Sequence, residues 1–246
     1  MKLLVCISKT PETTAKIAFN DNNTEFVKDG VQFIMNPYDE WYALVRALEI
    51  KESKGGSVTV LNVGPAANDI VIRKGLALGA DDAVRIDIDP QSAYSTAAQI
   101  ANYAKDNAYD LIFFGKETID YNGSEVGAIV AEMMELPFMS YVSHLDFEGD
   151  VAVVSRDIEG GIEVSHVTGP FVLSASKGLA EQRIANMRGI MMSKRKPLNV
   201  VPPVSVEDPV VVKSYSKPVG KSGVKMVDPE NMEELVRLLH EEAKVI

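Results

Sequence analysis

Along the first 140 residues, short apolar runs alternate with longer stretches of helical period. "LLVCIS" is a continuous apolar run, the pattern of a strand covered on both faces. "MNPYDEWYALVRALEIKESKGG" then predicts a helix, with Asn36 as cap, Pro37 in the first turn and Gly55 just past the end. Its buried stripe falls at Trp41, Leu44, Val45 and Leu48, the i, i+3, i+4, i+7 positions. "SVTVLNVGP" is a second strand, and "NDIVIRKGLALGA" a second helix stopped at Gly79. "DAVRIDI" is a third strand, followed by a helix over residues 94–107, and "YDLIFFG" is a fourth. Gly123, Ser124 and Gly127 open a further helix that runs through "AIVAEMMEL". Strands separated by helices of this length predict right-handed βαβ crossovers, hence an α/β fold with a mostly parallel, Rossmann-like sheet.

The pattern changes after residue 140. "YVSHLDFEGDVAVVSRDIEGGIEVSHVTGPFVLSAS" carries strand-like runs broken at Glu148-Gly149-Asp150 and Gly160-Gly161, which predicts added antiparallel hairpins. "MRGIMMSKRKP" is methionine-rich with a short basic cluster. "VVPPVSVEDPVVVKSYSKPVGKSG" is punctuated by proline without helical period and reads as an extended arm. A last helix starts at Asp228-Pro229 and puts Met232, Leu235, Val236 and Leu239 on one face. The expected organisation is an α/β domain over residues 1–199, hairpins included, and an arm with its helix over residues 200–246.

Composition narrows the classes. With 46% hydrophobic and 24% charged residues, the chain belongs with soluble globular proteins rather than disordered ones. A formal net charge of −10 argues against nucleic acid as a partner. Cys6 is the single cysteine, so neither an internal disulfide nor a CxxC metal site is available. The apolar run Leu3–Ile7 is too short for a signal-peptide core, and no stretch approaches the roughly 18 apolar residues of a membrane span. A cytoplasmic location is expected, or the mitochondrial matrix if the protein is eukaryotic.

Enzyme signatures are missing. His144, His166 and His240 lack metal-ligand spacing, and "GSEVG" does not centre its serine as a nucleophile elbow requires. No GxGxxG or Walker A sequence occurs, and no acid–base or nucleophilic triad assembles by rule. Cys6 falls inside a buried strand, where an inert thiol is expected. What remains is geometric. In open parallel sheets ligands bind beyond the carboxyl ends of the strands, and four segments converge there: residues 6–8, 36–39, 63–65 and 115–127. The last places small residues at a helix start, where free N–H groups and the helix dipole favour phosphate. Each glycine alone also fits a plain tight turn. The loop's acidic residues, Glu117, Asp120 and Glu125 against Lys116, suit a monophosphate or a pyrophosphate diester better than ATP.

At these residues the chain resembles the beta subunit of electron transfer flavoprotein. The resemblance runs nearly end to end, through "DGVQFIMNPYDEWYALVRALEIKE", "VGPAANDIVIRKGLALGAD", "DLIFFGKETIDYNGSEVG" and the signature-like "VVSRDIEGG". It implies a heterodimer with a larger alpha subunit that holds most of the FAD, and a beta nucleotide site filled by AMP or, in electron-bifurcating members, by a second FAD. Electrons would arrive from dehydrogenases such as those acting on acyl-CoA and leave to a quinone oxidoreductase; the chain would be a carrier subunit rather than an enzyme. Carried residue by residue, the resemblance puts Cys6, Asn36, Pro37, Tyr38, Asp39 and Val63 in the nucleotide site. The phosphate loop is Gly115, Lys116, Glu117, Thr118, Ile119, Asp120, Tyr121, Asn122, Gly123, Ser124, Glu125 and Val126. Tyr38 takes the place of an aromatic residue near the flavin of alpha. Met187 takes the place of the apolar residue that docks into dehydrogenases, with Ile190 and Met191 beside it, and the arm and last helix would embrace alpha.

The sequence also departs from that pattern. Ser8 stands where many members have lysine, and Glu125-Val126 where Gln-Thr is frequent. The valine is reminiscent of bifurcating members, but the Asp-Gly-Asp-Thr run that accompanies it there is replaced by Asp120-Tyr121-Asn122-Gly123. AMP, FAD and an empty beta site therefore stay open, with AMP the expectation. A universal-stress-type nucleotide-sensing domain shares the α/β grammar but leaves the hairpins, "SRDIEGG" and the arm unexplained.

Overall fold

The computed structural model describes residues 1–220 and 223–246. Its strands are β1 (Lys2–Cys6), β2 (Lys9–Pro11), β3 (Phe33–Met35), β4 (Ser57–Val63), β5 (Asp82–Ile86), β6 (Leu111–Gly115), β7 (Phe138–Glu148), β8 (Val151–Ile158), β9 (Gly161–Val167), β10 (Phe171–Ala175) and β11 (Leu198–Val201). The helices are α1 (Asp39–Lys54), α2 (Asp69–Leu78), α3 (Ala93–Lys105), α4 (Val126–Met134), α5 (Met187–Ser193) and α6 (Met232–Arg237). A 3-10 turn at Ala66–Asn68 leads into α2, and a wide π-helical turn, Leu238–Ala243, extends α6.

Nine strands form the main sheet in the order β11-β5-β4-β1-β6-β10-β7-β8-β9. Every neighbouring pair from β11 through β7 is parallel, while β7–β8 and β8–β9 are antiparallel. Strict alternation along β1 builds two cores, one on each face. Leu3 and Val5 pack with Leu44 and Leu48 of α1 and Ile72 and Leu76 of α2. Leu4 and Cys6 pack with Ala97 and Ile100 of α3 and Val130 of α4. The result is a three-layer α/β/α sandwich whose parallel strands are covered on both faces, as their unbroken apolar runs require. The chain builds outward from β1 through β4 to β5, then returns to place β6 on the other side of β1. That reversal makes the carboxyl ends of β1 and β6 a topological switch point, where a crevice opens.

Four features depart from the sequence reading. The run from Phe171 is not part of the hairpin series: β10 is wholly buried and inserts, parallel, between β6 and β7. Leu198–Val201 pairs with β5 as an edge strand, so the extended arm begins beyond it, and the expected division at residue 200 falls inside β11. Residues 9–35 add a small antiparallel pair, β2–β3, with a hairpin closed by a Phe19–Phe26 bridge. The last helix starts at Met232, not at Asp228, and leaves Met232 and Val236 exposed. Among the described residues, no helix is long and apolar enough to cross a membrane.

Candidate functional site

The switch-point crevice is tied together by buried polar side chains. Asn36 is fully buried and joins three segments: its N–H donates to Ser8 O at 2.9 Å, its Nδ2 donates to Glu117 O at 3.0 Å, and its Oδ1 accepts from the N–H of Ile119 at 3.0 Å. Its expected role as a helix cap is therefore not the one observed. Helix α1 starts without a side-chain cap after Tyr38, and Asn36 spends its amide on the loop after β6. Asn62 does similar work one strand over, donating to Ile7 O at 2.8 Å while accepting from Asn68 at 2.9 Å.

Glu40 sits between the ends of β1 and β6. It is 5% exposed, and its Oε2 accepts from the N–H of Ser8 at 2.6 Å. Gly115 lies against it so closely that a Cβ there would come within 2.7 Å of Glu40 Cγ and 2.8 Å of its backbone nitrogen. Burial pushes the Glu40 carboxyl up to about 8, the hydrogen bonds from Ser8 pull it down, and the negative charges of Asp120 and Asp39 add to the rise. Burial also raises Asp39, which Lys116 partly offsets, and lifts the Cys6 thiol well above its usual range, with Glu40 adding to the lift. Cys6 faces the core under α3 and α4, so it borders the site as a packed, protonated thiol.

From Gly115 the loop runs over this crevice. The Lys116 N–H still continues the sheet, bonding Ala175 O at 2.8 Å. Thr118 and Ile119 are half-buried, Asp120, Tyr121, Asn122, Gly123 and Glu125 are exposed, and Ser124 and Val126 turn partly inward. Asn122 and Ser124 take the left-handed conformation, with φ of 50° and 55°. Those two reversals deliver the chain into α4, which starts at Val126 without a side-chain cap. The first N–H groups of α4 thus lack an internal acceptor and face the loop. The Ser8 N–H, the donor that a turn after the first strand would offer to a phosphate, is already taken by Glu40.

Beside the loop lies an open cleft of about 260 Å³ lined by Pro37, Tyr38, Asp39, Tyr42, Lys116, Glu117, Ile119 and Lys177. Tyr38 stands at its rim, 53% exposed, with a φ of 64°. Strain of this kind in a non-glycine residue persists where its surroundings fix it. The carbonyl of Tyr38 accepts from the N–H of Tyr42 at 2.8 Å, which ties the turn to the start of α1.

The sequence-derived residues at 6, 36–39, 63 and 115–126 therefore converge on one end of the sheet, and Val63 ends β4 there. Met187, Ile190 and Met191 do not. They lie on α5, which packs on α2: Gly189 approaches so near that a Cβ would come within 2.3 Å of Ala77 O. Arg73 bonds Ser193 O and Lys196 O, both at 2.7 Å, and fixes the segment from below. Met187, Met191 and Met192 are 74%, 68% and 46% exposed and form an apolar surface with Ile190. Glu40, Tyr42, Asn62, Asn68 and Lys177 are the residues of the site that the sequence reading does not contain. Glu40 carried a signal, since it precedes Leu44 and Ala47 on the buried stripe of α1 at helical spacing.

Comparison with known proteins bears on this geometry. A family model described as the electron transfer flavoprotein domain matches residues 24–206. The chain is 33% identical to the electron transfer flavoprotein subunit beta of Bacillus subtilis over 263 aligned residues, covering 100% of both proteins. It is 31% identical to the human subunit beta over 264 residues, covering 100% of this chain and 99% of the relative. The subunit beta of Thermoanaerobacterium thermosaccharolyticum is 33% identical over 199 residues, 80% of this chain and 76% of that one.

Proposed function

The chain belongs to the electron transfer flavoprotein family as a beta subunit, and from that premise we propose that it seats AMP at the switch-point crevice and completes the flavin pocket of an alpha subunit. The observation that carries this reading is the loop from Gly115 to Val126, pinned by Asn36 and ending at the uncapped start of α4. Free helix N–H groups and the positive end of the helix dipole suit a phosphate. Glu40 closes the alternative position after β1 by taking the Ser8 N–H, and the exposed carboxylates of Asp120 and Glu125 on the loop weigh against a triphosphate. The nucleotide in this chain is held for position, not turned over.

The FAD held mainly by alpha supplies the redox chemistry when bound. This chain's part is to cover and orient it. The cleft beside Tyr38 is the face that would meet the flavin: an exposed, conformationally fixed aromatic at the rim, with Lys116 and Lys177 as its cations. The methionine-bearing face of α5 suits docking to dehydrogenases such as those acting on acyl-CoA, because flexible thioethers adapt to more than one partner surface. The arm and the exposed face of α6 would wrap the alpha subunit, and a quinone oxidoreductase would take the electrons onward.

Denaturing the co-purified heterodimer and quantifying the released nucleotides tests the reading. One FAD and one AMP per heterodimer is the expected result. Two FAD and no AMP would replace the shuttle with an electron-bifurcating role, and a complex without any nucleotide beyond the FAD of alpha would overturn the AMP assignment.

A further inference from the structure

The segment that carries α5 is fastened at both of its ends. At the near end, the carbonyl of Arg183 accepts from the Trp41 indole N–H at 3.0 Å, and the Arg183 guanidinium forks onto the Glu52 carboxylate at 2.7 and 2.8 Å. Both partners lie on α1. At the far end, two basic side chains exchange carbonyls between helices. Arg73 of α2 donates to Ser193 O at the end of α5 and to Lys196 O beyond it. Lys196 returns the contact, its Nζ donating to Leu76 O at 3.0 Å and to Ala80 O at 2.5 Å, where α2 ends and its carbonyls lack helical partners.

Between these fastenings, α5 has little of its own to keep it in shape. It has seven residues, against the roughly 12 at which an isolated helix is still only marginal. Gly189 stands in its interior and weakens it further. Ser193 is its only buried residue, so no apolar stripe holds it to the body of the domain. Met187, Ile190 and Met191 are exposed, and as i, i+3 and i+4 positions they share one face only while the helix persists.

We propose that Arg73 and Arg183 are positioning residues for dehydrogenase docking, bracketing the segment from 183 to 196 so that α5 presents its methionine face preformed. The inference rests on the reading of that face as the docking surface. It adds that the face depends on two arginines that do not belong to it. A loose segment has to be ordered as the partner docks, and that cost falls on affinity; a preformed one avoids it. The bracket fixes backbone and leaves the thioethers free to adapt. Its effect therefore falls on the encounter and not on electron transfer once the partner is docked.

The test uses the heterodimer and an acyl-CoA dehydrogenase reduced by its own substrate. Arg73→Met keeps the length of the side chain and removes the donors. The KM for the heterodimer is expected to rise about tenfold, the equivalent of one lost charge-assisted hydrogen bond, with kcat and flavin content parental. Arg73→Lys, which keeps a cationic donor, should restore part of the loss. Arg183→Met acts at the other end and against another helix, so a matching rise in KM separates the bracket from a local defect in α2. Amide exchange over residues 187–193 should quicken in both variants while β1 and β6 exchange as in the parent. Met187→Ala is the control for docking itself. If it raises KM and the two arginine variants do not, the bracket alone is overturned. Arginine variants that lose flavin or kcat with KM unchanged also overturn it, because that pattern marks a general folding defect. If Met187→Ala too leaves electron acceptance unchanged, the docking reading falls and the bracket with it.

Discussion

The crevice above β1 and β6 and the surface of α5 are built on opposite plans. In the crevice, Asn36 and Asn62 are buried, each committed in two directions by hydrogen bonds of 2.8–3.0 Å, and even the backbone N–H of Ser8 is spoken for. On α5, apolar side chains stand in solvent and only the underside is fixed, by Asn186 capping Gly189 at 2.8 Å and by Arg73. A small anion held by backbone amides needs those amides aimed in advance, because each misaimed donor forfeits its bond. A surface that meets another protein needs accessible apolar area and tolerates, or profits from, adjustable side chains. Rigidity has been invested at the strand ends and withheld at the helix.

Substitutions can break this contrast. The largest effect is expected for Asn36→Ala, which strands the carbonyl of Glu117 and the N–H of Ile119 and opens a hole in a fully buried position; unfolding free energy should fall by about 3 kcal/mol. AMP affinity should fall with it. A destabilised chain with parental affinity would detach the loop from nucleotide binding. Next comes Gly115→Ala, whose Cβ has no room beside Glu40 and should cost about 1–3 kcal/mol by overpacking, read as a lowered denaturation midpoint.

Glu40→Gln sharpens the electrostatic side. The folded carboxyl titrates near 8 against an ordinary value of 4.5, so the folded state keeps a proton that the unfolded chain gives up in that window. This group's contribution therefore declines as pH rises from about 5 to 8. Glutamine still accepts from Ser8 and does not titrate. The variant's stability relative to the parent should thus improve steadily over those pH values, in urea melts taken at each; a constant difference would refute the buried, proton-holding carboxyl. The smallest stability effect belongs to Met187→Ala, within about 0.5 kcal/mol of the parent. The heterodimer carrying it should keep its flavin and accept electrons from a dehydrogenase more slowly. An unchanged rate would remove α5 from docking.

The two regions also differ in what their residues disclose in advance. The loop after β6 announces itself because an apolar run ends at Gly115 and small residues open a helix, both local signals. The pattern likewise places β1, β4 and β5 and the helices between them, and the turns at Gly149 and Gly160 mark β7, β8 and β9. What the pattern leaves open is pairing. "FVLSA" reads the same whether it joins a meander or enters the middle of a parallel sheet, because the choice depends on which partners remain unpaired between β6 and β7. Asn36 misleads for a similar reason: a polar residue before a helix is a good cap locally, yet a loop eighty residues later competes for its amide. The arm's proline-rich composition announces extension, but its attachment at Val204 and Tyr215 is set by Gln99 and Phe19, which only the fold brings near.

Amide hydrogen exchange on the full chain, with and without saturating AMP, tests the central claim most directly. Protection should rise at residues 116–127 and stay unchanged at residues 187–193. Protection absent from the loop, or appearing at α5 instead, would contradict the assignment of the nucleotide to the strand ends.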